Sequence, residues 1–304
     1  MSDSLLPIPS ELVGSRFDIA LSKMIGVSRA NAISLIDSGQ AKIADKKSHK
    51  SSILQNGDLI ILSKKEDIVS KPVLCNMQIV YNDDDIVVVD KPVGVAAHAA
   101  AGWQGATVVE NLLAMGININ VTKCESYRRG IVSRLDVGTS GLMLVCKSDL
   151  AYEVMKQQFK NHDVIKIYHA LVQGNIKQDK ATIDAPIGRA KVCDFRFTVT
   201  ESGKPAITHW DVIERFRGAT LVKVNLETGR THQIRVHFSS IGHPVVGDPM
   251  YGANPQLSKT LGLSRQWLHA MTLKFKHPRT NKLIVLESKY PSDLQHALQA
   301  VRQL

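Results

Sequence analysis

Apolar and polar positions alternate along the chain with periods that change from segment to segment. Phe17, Ala20, Leu21 and Met24 recur at helical spacing, which predicts a helix. Ser28 stands where an N-cap is needed for a second helix with Ala32, Ile33 and Ile36 on one face, and Gly39 is placed to end it. Ala41–Ala44 then reads as a strand, and Asn56-Gly57-Asp58 reads as a turn into a strand over Leu59–Leu62. These elements make a small α/β unit decorated by Arg16, Lys23, Arg29 and Lys42. The charged stretch Lys64–Pro72 ends in proline and reads as a connection.

A larger set of elements follows. Ile86–Val89 is a continuous β-branched run suited to a buried strand, and Gly141–Cys146 is a second apolar run. Leu150, Val154, Met155 and Phe159 predict the inner face of a helix, with Lys156 and Lys160 outside. Ile167–Val172 and Leu221–Leu226 read as strands, and Thr231–Ser240 as a helix closed near Gly242. Leu273–Phe275 and Leu283–Leu286 flank polar Pro278–Asn281 as a hairpin, and Ser292 is expected to cap a last helix through Leu294, Leu298, Val301 and Leu304. Scattered strands that outnumber the helices predict an α+β class with a mixed or antiparallel sheet. The expected boundaries are a first domain over 1–67, a linker over 68–77 and a second domain over 78–304, since one core rarely serves a chain of 304 residues.

Charge adds a partner to this picture. Thirty-eight Lys and Arg against 28 Asp and Glu leave a net charge of +10, which favours a polyanion. No apolar run is long enough to cross a bilayer, and Met1-Ser2-Asp3-Ser4 is not the start of a secretory signal. Cys75, Cys124, Cys146 and Cys193 form no CxxC, which argues against structural zinc and a disulfide framework and for a reducing, cytoplasmic setting. The chain has no Walker A sequence and no G-x-G-x-x-G, so nucleotide cofactors are disfavoured.

Two segments concentrate candidate chemistry. Arg129–Leu142 runs into a buried strand through a loop that carries Arg134 and Asp136, a pair that on spacing alone could simply tie down a turn. In Leu226–His237, Arg230 stands where a strand passes into a helix N-terminus, a place that gathers anions. The plainer alternative makes Arg230 and Arg235 surface charges. His232 and His237 are packing or surface residues, and five positions of spacing set them on different faces of a helix, against a zinc pair. Lys166 and Tyr168 alternate onto one face of their strand.

Taken together, these segments resemble the RluA-type family of RNA pseudouridine synthases, in its branch acting on large-subunit ribosomal RNA. The family's G-I-V-H-R-L-D-x-x-T-S-G-L appears as Gly130 to Leu142, with Ser133 in place of His. K-x-Y-x-A-x-V-x-G matches Lys166 to Gly174, T-G-R-T-H-Q-I-R-x-H matches Thr228 to His237, and G-H-P-x-x-G-D-x-x-Y-G matches Gly242 to Gly252. K-P-x-G matches Lys91 to Gly94, and L-H-A-x-x-L-x-F-x-H-P matches Leu268 to Pro278. The N-terminal unit is similar to an S4 RNA-binding domain through Arg16, Asp18, Leu21, Ser28-Arg29, Ile36, Gly39 and Gly57-Asp58.

The resemblance implies isomerisation of a uridine flipped out of its RNA helix. It implies Asp136 as the catalytic carboxylate, Arg230 as its paired arginine and Tyr168 packed on the base. Arg134, Lys166 and Ile234 are implied as substrate-binding residues. Expected besides are no cofactor and no metal, large-subunit ribosomal RNA or its precursor particle as partner, no DNA, no membrane, and a monomer. The competing expectations are a non-catalytic RNA-binding or ribosome-assembly protein and a synthase for transfer RNA. A glycosidase would need a second placed carboxylate that the matched segments do not offer.

Overall fold

The computed structural model describes residues 4–63, 74–99, 103–125, 128–190 and 193–304. Residue contacts divide the chain into two compact units, Met1–Lys71 and Pro72–Leu304. Most of the expected linker, residues 68–73, lies outside the described residues.

The N-terminal unit contains β1 (Ser4–Pro7), α1 (Phe17–Ile25), α2 (Arg29–Asp37), β2 (Ala41–Ile43) and β3 (Leu59–Leu62). The strands form an antiparallel sheet in the order β1-β3-β2. Phe17, Ala20 and Leu21 of α1 meet Ala32 and Ile36 of α2 over Ile60. Ser28 caps α2 by accepting the Asn31 N–H, and Gly39 takes a left-handed φ of 74° as the chain leaves that helix. Asp18 is fully buried beside this core. It accepts hydrogen bonds from Arg16 and Arg29, and these, led by Arg16, hold its carboxyl down at about 2.

The second unit continues with β4 (Gln78–Asn82), β5 (Ile86–Lys91), α3 (Val108–Ala114), β6 (Ser140–Cys146), α4 (Asp149–Lys160), β7 (Ile165–Gln173) and β8 (Lys180–Asp184). It goes on through β9 (Ile187–Ala190), β10 (Cys193–Val199), β11 (Ile207–Phe216), β12 (Ala219–Leu226) and α5 (Gln233–Ser240). It closes with α6 (Pro255–Thr260), β13 (Leu268–Lys276), β14 (Leu283–Glu287) and α7 (Ser292–Val301). Nine of these strands form one sheet in the order β4-β5-β6-β13-β7-β12-β11-β8, with β14 also on β13; β9 and β10 pair separately. The β6–β13 contact is parallel and every other pairing in the sheet is antiparallel, so the α+β class with a mixed sheet is the observed one.

The apolar runs that predicted buried strands occupy the middle of this sheet: Ile86, Val87, Val88 and Val89 are fully buried, and so is every residue of β6. Three local expectations need correction. The buried stripe of α4 is Ala151 and Met155, with Val154 and Phe159 half-buried and Leu150 exposed on the first turn. Ser292 is the first residue of α7 and not its cap; Pro291 precedes it, and its carbonyl accepts the Leu294 and Gln295 N–H groups. Helix α5 starts at Gln233, two residues later than Thr231, because His232 turns left-handed with φ 57°.

The sheet carries the site at the β6–β13–β7–β12 region. Gly141 marks the closest approach of β6 to β13. Its φ is 115°, and a Cβ there would stand 2.3 Å from the Ala270 carbonyl oxygen, so only glycine fits.

Candidate active site

Asp136 sits in the loop that leads into β6. Its own carbonyl accepts the Thr139 N–H, which makes the loop a tight turn. Distant segments pin that turn. The Gly94 N–H donates to the Val137 carbonyl, and Arg265 donates to the Gly138 carbonyl while holding Asp293 in a bidentate pair. Gln266 donates to the Thr139 hydroxyl, and its amide lies where a Cβ on Gly138 would fall. The carboxylate is thus carried on a rigid base, as a reacting group requires.

A cleft of about 540 Å³ opens above this loop. Its walls include Arg134 and Asp136 from the loop, Phe159 from α4, Lys166 and Tyr168 from β7, Arg230 from the turn after β12, and Ile234 and Arg235 from α5. Arg235 binds Asp136 directly: Nη1 lies 3.2 Å from Oδ2. Its remaining nitrogens clasp buried Asp248, with Nε at 2.6 Å and Nη2 at 2.9 Å from the two carboxylate oxygens. Its guanidinium lies 4.9 Å from the centroid of the Tyr251 ring. Burial opposes the Arg235 charge, yet the Asp248 and Asp136 carboxylates outweigh it and raise its pKa further. On the other oxygen, His232 Nε2 stands 3.9 Å from Asp136 Oδ1.

The rest of the cleft includes a buried phenol and a half-buried ammonium. Tyr168 is buried, and burial followed by the nearby Asp136 charge pushes its phenol well above the usual range, so it stays protonated. Lys166 reaches toward the Phe159 ring, 5.9 Å from its centroid, and has no ion pair among the described residues. Burial alone pulls its ammonium down to about 8. Behind the loop, fully buried Lys91 donates to the Pro92 and Val95 carbonyls. Burial lowers its pKa to about 7 against the opposing pull of Asp136.

All six residues singled out from the sequence line this cleft, but one expected contact is not made. The partner of Asp136 is Arg235 and not Arg230. Arg230 lies in the turn before the left-handed residue, is exposed, and donates through Nε to the Pro205 carbonyl. Arg235 lies past that turn on α5, where the helix face meets the loop; it is only 6% exposed, so the expectation of a surface charge fails. Sequence reasoning also missed Asp248, Tyr251 and His232 as parts of the site. The available signal was chemical: an aspartate and a tyrosine in one matched segment, Gly242 to Gly252, supply the hydrogen-bond partners that a buried arginine and histidine in another need. His237 points elsewhere, to the Thr208 hydroxyl and the Ala185 carbonyl, so the two histidines do part as their spacing predicts.

The comparisons with known proteins follow the same lines. The family model described as RNA pseudouridylate synthase matches residues 85–240. An uncharacterised RNA pseudouridine synthase of Mycobacterium bovis is 47% identical over 306 residues, covering 99% of both chains. Ribosomal large subunit pseudouridine synthase D of Pseudomonas aeruginosa is 39% identical, covering 97% of this chain and 95% of its own. The solved structure of human RNA pseudouridylate synthase domain containing 1 superposes with a TM-score of 0.58 at 29% identity, over 71% of this chain and 84% of the other. A pinned carboxylate in a basic cleft, on a mixed sheet matched along almost the full length of these relatives, leads to one conclusion: the chain belongs to the RNA pseudouridine synthase family.

Proposed function

We propose that this pseudouridine synthase isomerises uridines of large-subunit ribosomal RNA, with Asp136 as its catalytic carboxylate. The observation that carries the reading is the arrangement around Asp136: one oxygen is bound by a buried arginine, in a cleft that also presents Arg134, Lys166 and Arg230 and the side chains of Tyr168 and Ile234. The ribosomal target is supported by relatives named ribosomal large subunit pseudouridine synthase D, 35–39% identical over most of the chain.

In the reaction the N1–C1′ bond breaks, a C5–C1′ bond forms, and a proton lost from C5 is matched by one gained at N1. A stacked base cannot rotate in this way, so the uridine is flipped into the cleft, at about a few kcal/mol. Asp136 acts on the sugar or the base as nucleophile or proton acceptor. Arg235 pairs with it and holds it aimed. Tyr168 and Ile234 pack against the flipped base. Arg134, Arg230 and Lys166 bring positive charge to the cleft, and phosphate contacts from such groups offset the flipping cost.

The N-terminal unit serves as an S4-like RNA-binding module. Arg16 and Arg29 are 42% and 55% exposed while their inner faces are clasped by buried Asp18, which leaves guanidinium edges free for phosphates. The enzyme works without a cofactor, as a cytoplasmic monomer; free thiols at Cys75, Cys124 and Cys146 suit a reducing compartment. Deleting the gene and mapping pseudouridine in all stable RNAs tests the target. Loss confined to large-subunit ribosomal RNA supports the reading. Loss confined to transfer RNA overturns the ribosomal assignment.

A further inference from the structure

His232 belongs to no role assigned above, yet its ring is held by Tyr251 and Phe197 and faces Asp136. We propose that His232 is a positioning residue for Asp136, its imidazole N–H bracing carboxylate oxygen Oδ1 while Arg235 holds Oδ2. The proposal rests on the reading of Asp136 as the catalytic carboxylate.

The backbone is the first observation. His232 holds φ 57° and ψ 20°, a left-handed conformation that side-chain-bearing residues seldom adopt. The bend ends the turn after β12 before α5 begins and leaves the imidazole facing the Asp136 loop, with Nε2 3.9 Å from Oδ1.

The second observation fixes the tautomer. The other ring nitrogen, Nδ1, lies 2.8 Å from the Tyr251 hydroxyl. That hydroxyl accepts the Phe197 N–H at 3.1 Å, and among the described residues the acceptor within reach of its own proton is Nδ1. Nδ1 is then the acceptor, and Nε2 carries the proton toward Asp136. The rings of Phe197 and Tyr251 meet the imidazole edge-on, at centroid distances of 5.7 and 5.6 Å, and hold its plane.

The charged groups facing His232 are Asp136 and Arg134 from the loop, Arg235 from α5, and Asp248 beyond it. Burial dominates, lowering the imidazole's pKa despite Asp136, so the ring is neutral near pH 7. A neutral donor orients a carboxylate without protonating it. The 3.9 Å gap is longer than a hydrogen bond. Substrate contacts that press the loop toward α5 close such a gap to hydrogen-bond distance. Tyr251 serves both arms, since its ring also underlies the Arg235 guanidinium.

The test uses the full-length protein and an RNA that the wild type modifies, with single-turnover isomerisation rate and RNA affinity read separately. Asn tolerates the left-handed backbone but is too short to reach Asp136; Gln restores an N–H at nearly the imidazole's reach. Expected is a loss of about 10–100-fold in rate for His232→Asn, at RNA affinity within about twofold of wild type, with His232→Gln recovering most of it. Nitrogen-15 NMR of the wild type is expected to show the Nε2–H tautomer at pH 7, and Tyr251→Phe to lose that preference. An unchanged rate in His232→Asn overturns the proposal, and so does an Nδ1–H tautomer in the wild type, whatever the variants do. Asp136→Asn measured alongside separates the two claims: an inactive Asp136→Asn beside a fully active His232→Asn removes only the brace, whereas an active Asp136→Asn removes the reading on which it rests.

Discussion

At the scale of single residues, the two arginines of the Thr228–His237 segment have different work. Arg235 is bound to Asp136 and Asp248 at once, so removing it leaves two carboxylates without their shared cation. Arg235→Gln is expected to cut single-turnover isomerisation by about 100-fold or more, a size typical of lost electrostatic positioning. Arg230→Gln is expected to spare that rate and weaken RNA binding a few-fold; the reverse pattern would restore Arg230 as the partner of Asp136. Lys166 gives a pH signature. Its ammonium titrates at about 8 and has no protein counter-ion among the described residues, so its charge is free for the RNA. The charged form binds, so affinity is expected to be full below that pH and to weaken as pH rises through it. RNA binding raises the pKa in turn. Lys166→Met should abolish the limb and Lys166→Arg should move it out of range, in affinity measurements from pH 6 to 10.

At the scale of elements, the seam between β6 and β13 joins the two halves of the sheet through two residue pairs, His269 with Ser140 and Ala270 with Gly141. Gly141→Ala would set a methyl group on the Ala270 carbonyl at a left-handed φ. It is expected to destabilise the second unit by about 2–4 kcal/mol, read as a shifted denaturation midpoint at unchanged slope. The strands around this seam were legible because burial on both faces writes a continuous apolar run: Ile86–Val89 and Gly141–Cys146 could be little else. β11 was not legible. Exposed Asp211, Ile213 and Arg215, with half-buried Glu214, give it the look of a polar surface segment, and its pairing with β8 and β12 is set by partners far along the chain. The same limit applies to the site. The resemblance to the family motifs led to Asp136, Tyr168 and Lys166, whereas the choice between Arg230 and Arg235 depended on one left-handed residue. No periodicity rule predicts such a residue in a helix that otherwise begins at Thr231.

At the scale of the whole molecule, charge and fold point the same way. A net charge of +10 accompanies a cleft in which three cations, Arg134, Arg230 and Lys166, pair with no carboxylate among the described residues. Binding to RNA is therefore expected to fall steeply with salt, and each cation that contacts a phosphate contributes about 0.7–0.9 to the log–log slope. Replacing Arg134 and Lys166 together should flatten the slope by one to two units in a titration from 50 to 300 mM salt. An unchanged slope would move the RNA path away from these residues. The central claim is that Asp136 performs uridine isomerisation. It is tested most directly by tritium release from C5-labelled uridine in large-subunit ribosomal RNA, wild type beside Asp136→Asn. Asn keeps the volume of the side chain and removes its charge, so the loop should survive. Release by the wild type and none by Asp136→Asn is the predicted result. Equal release by both would contradict the account, and the reacting carboxylate would have to be sought elsewhere.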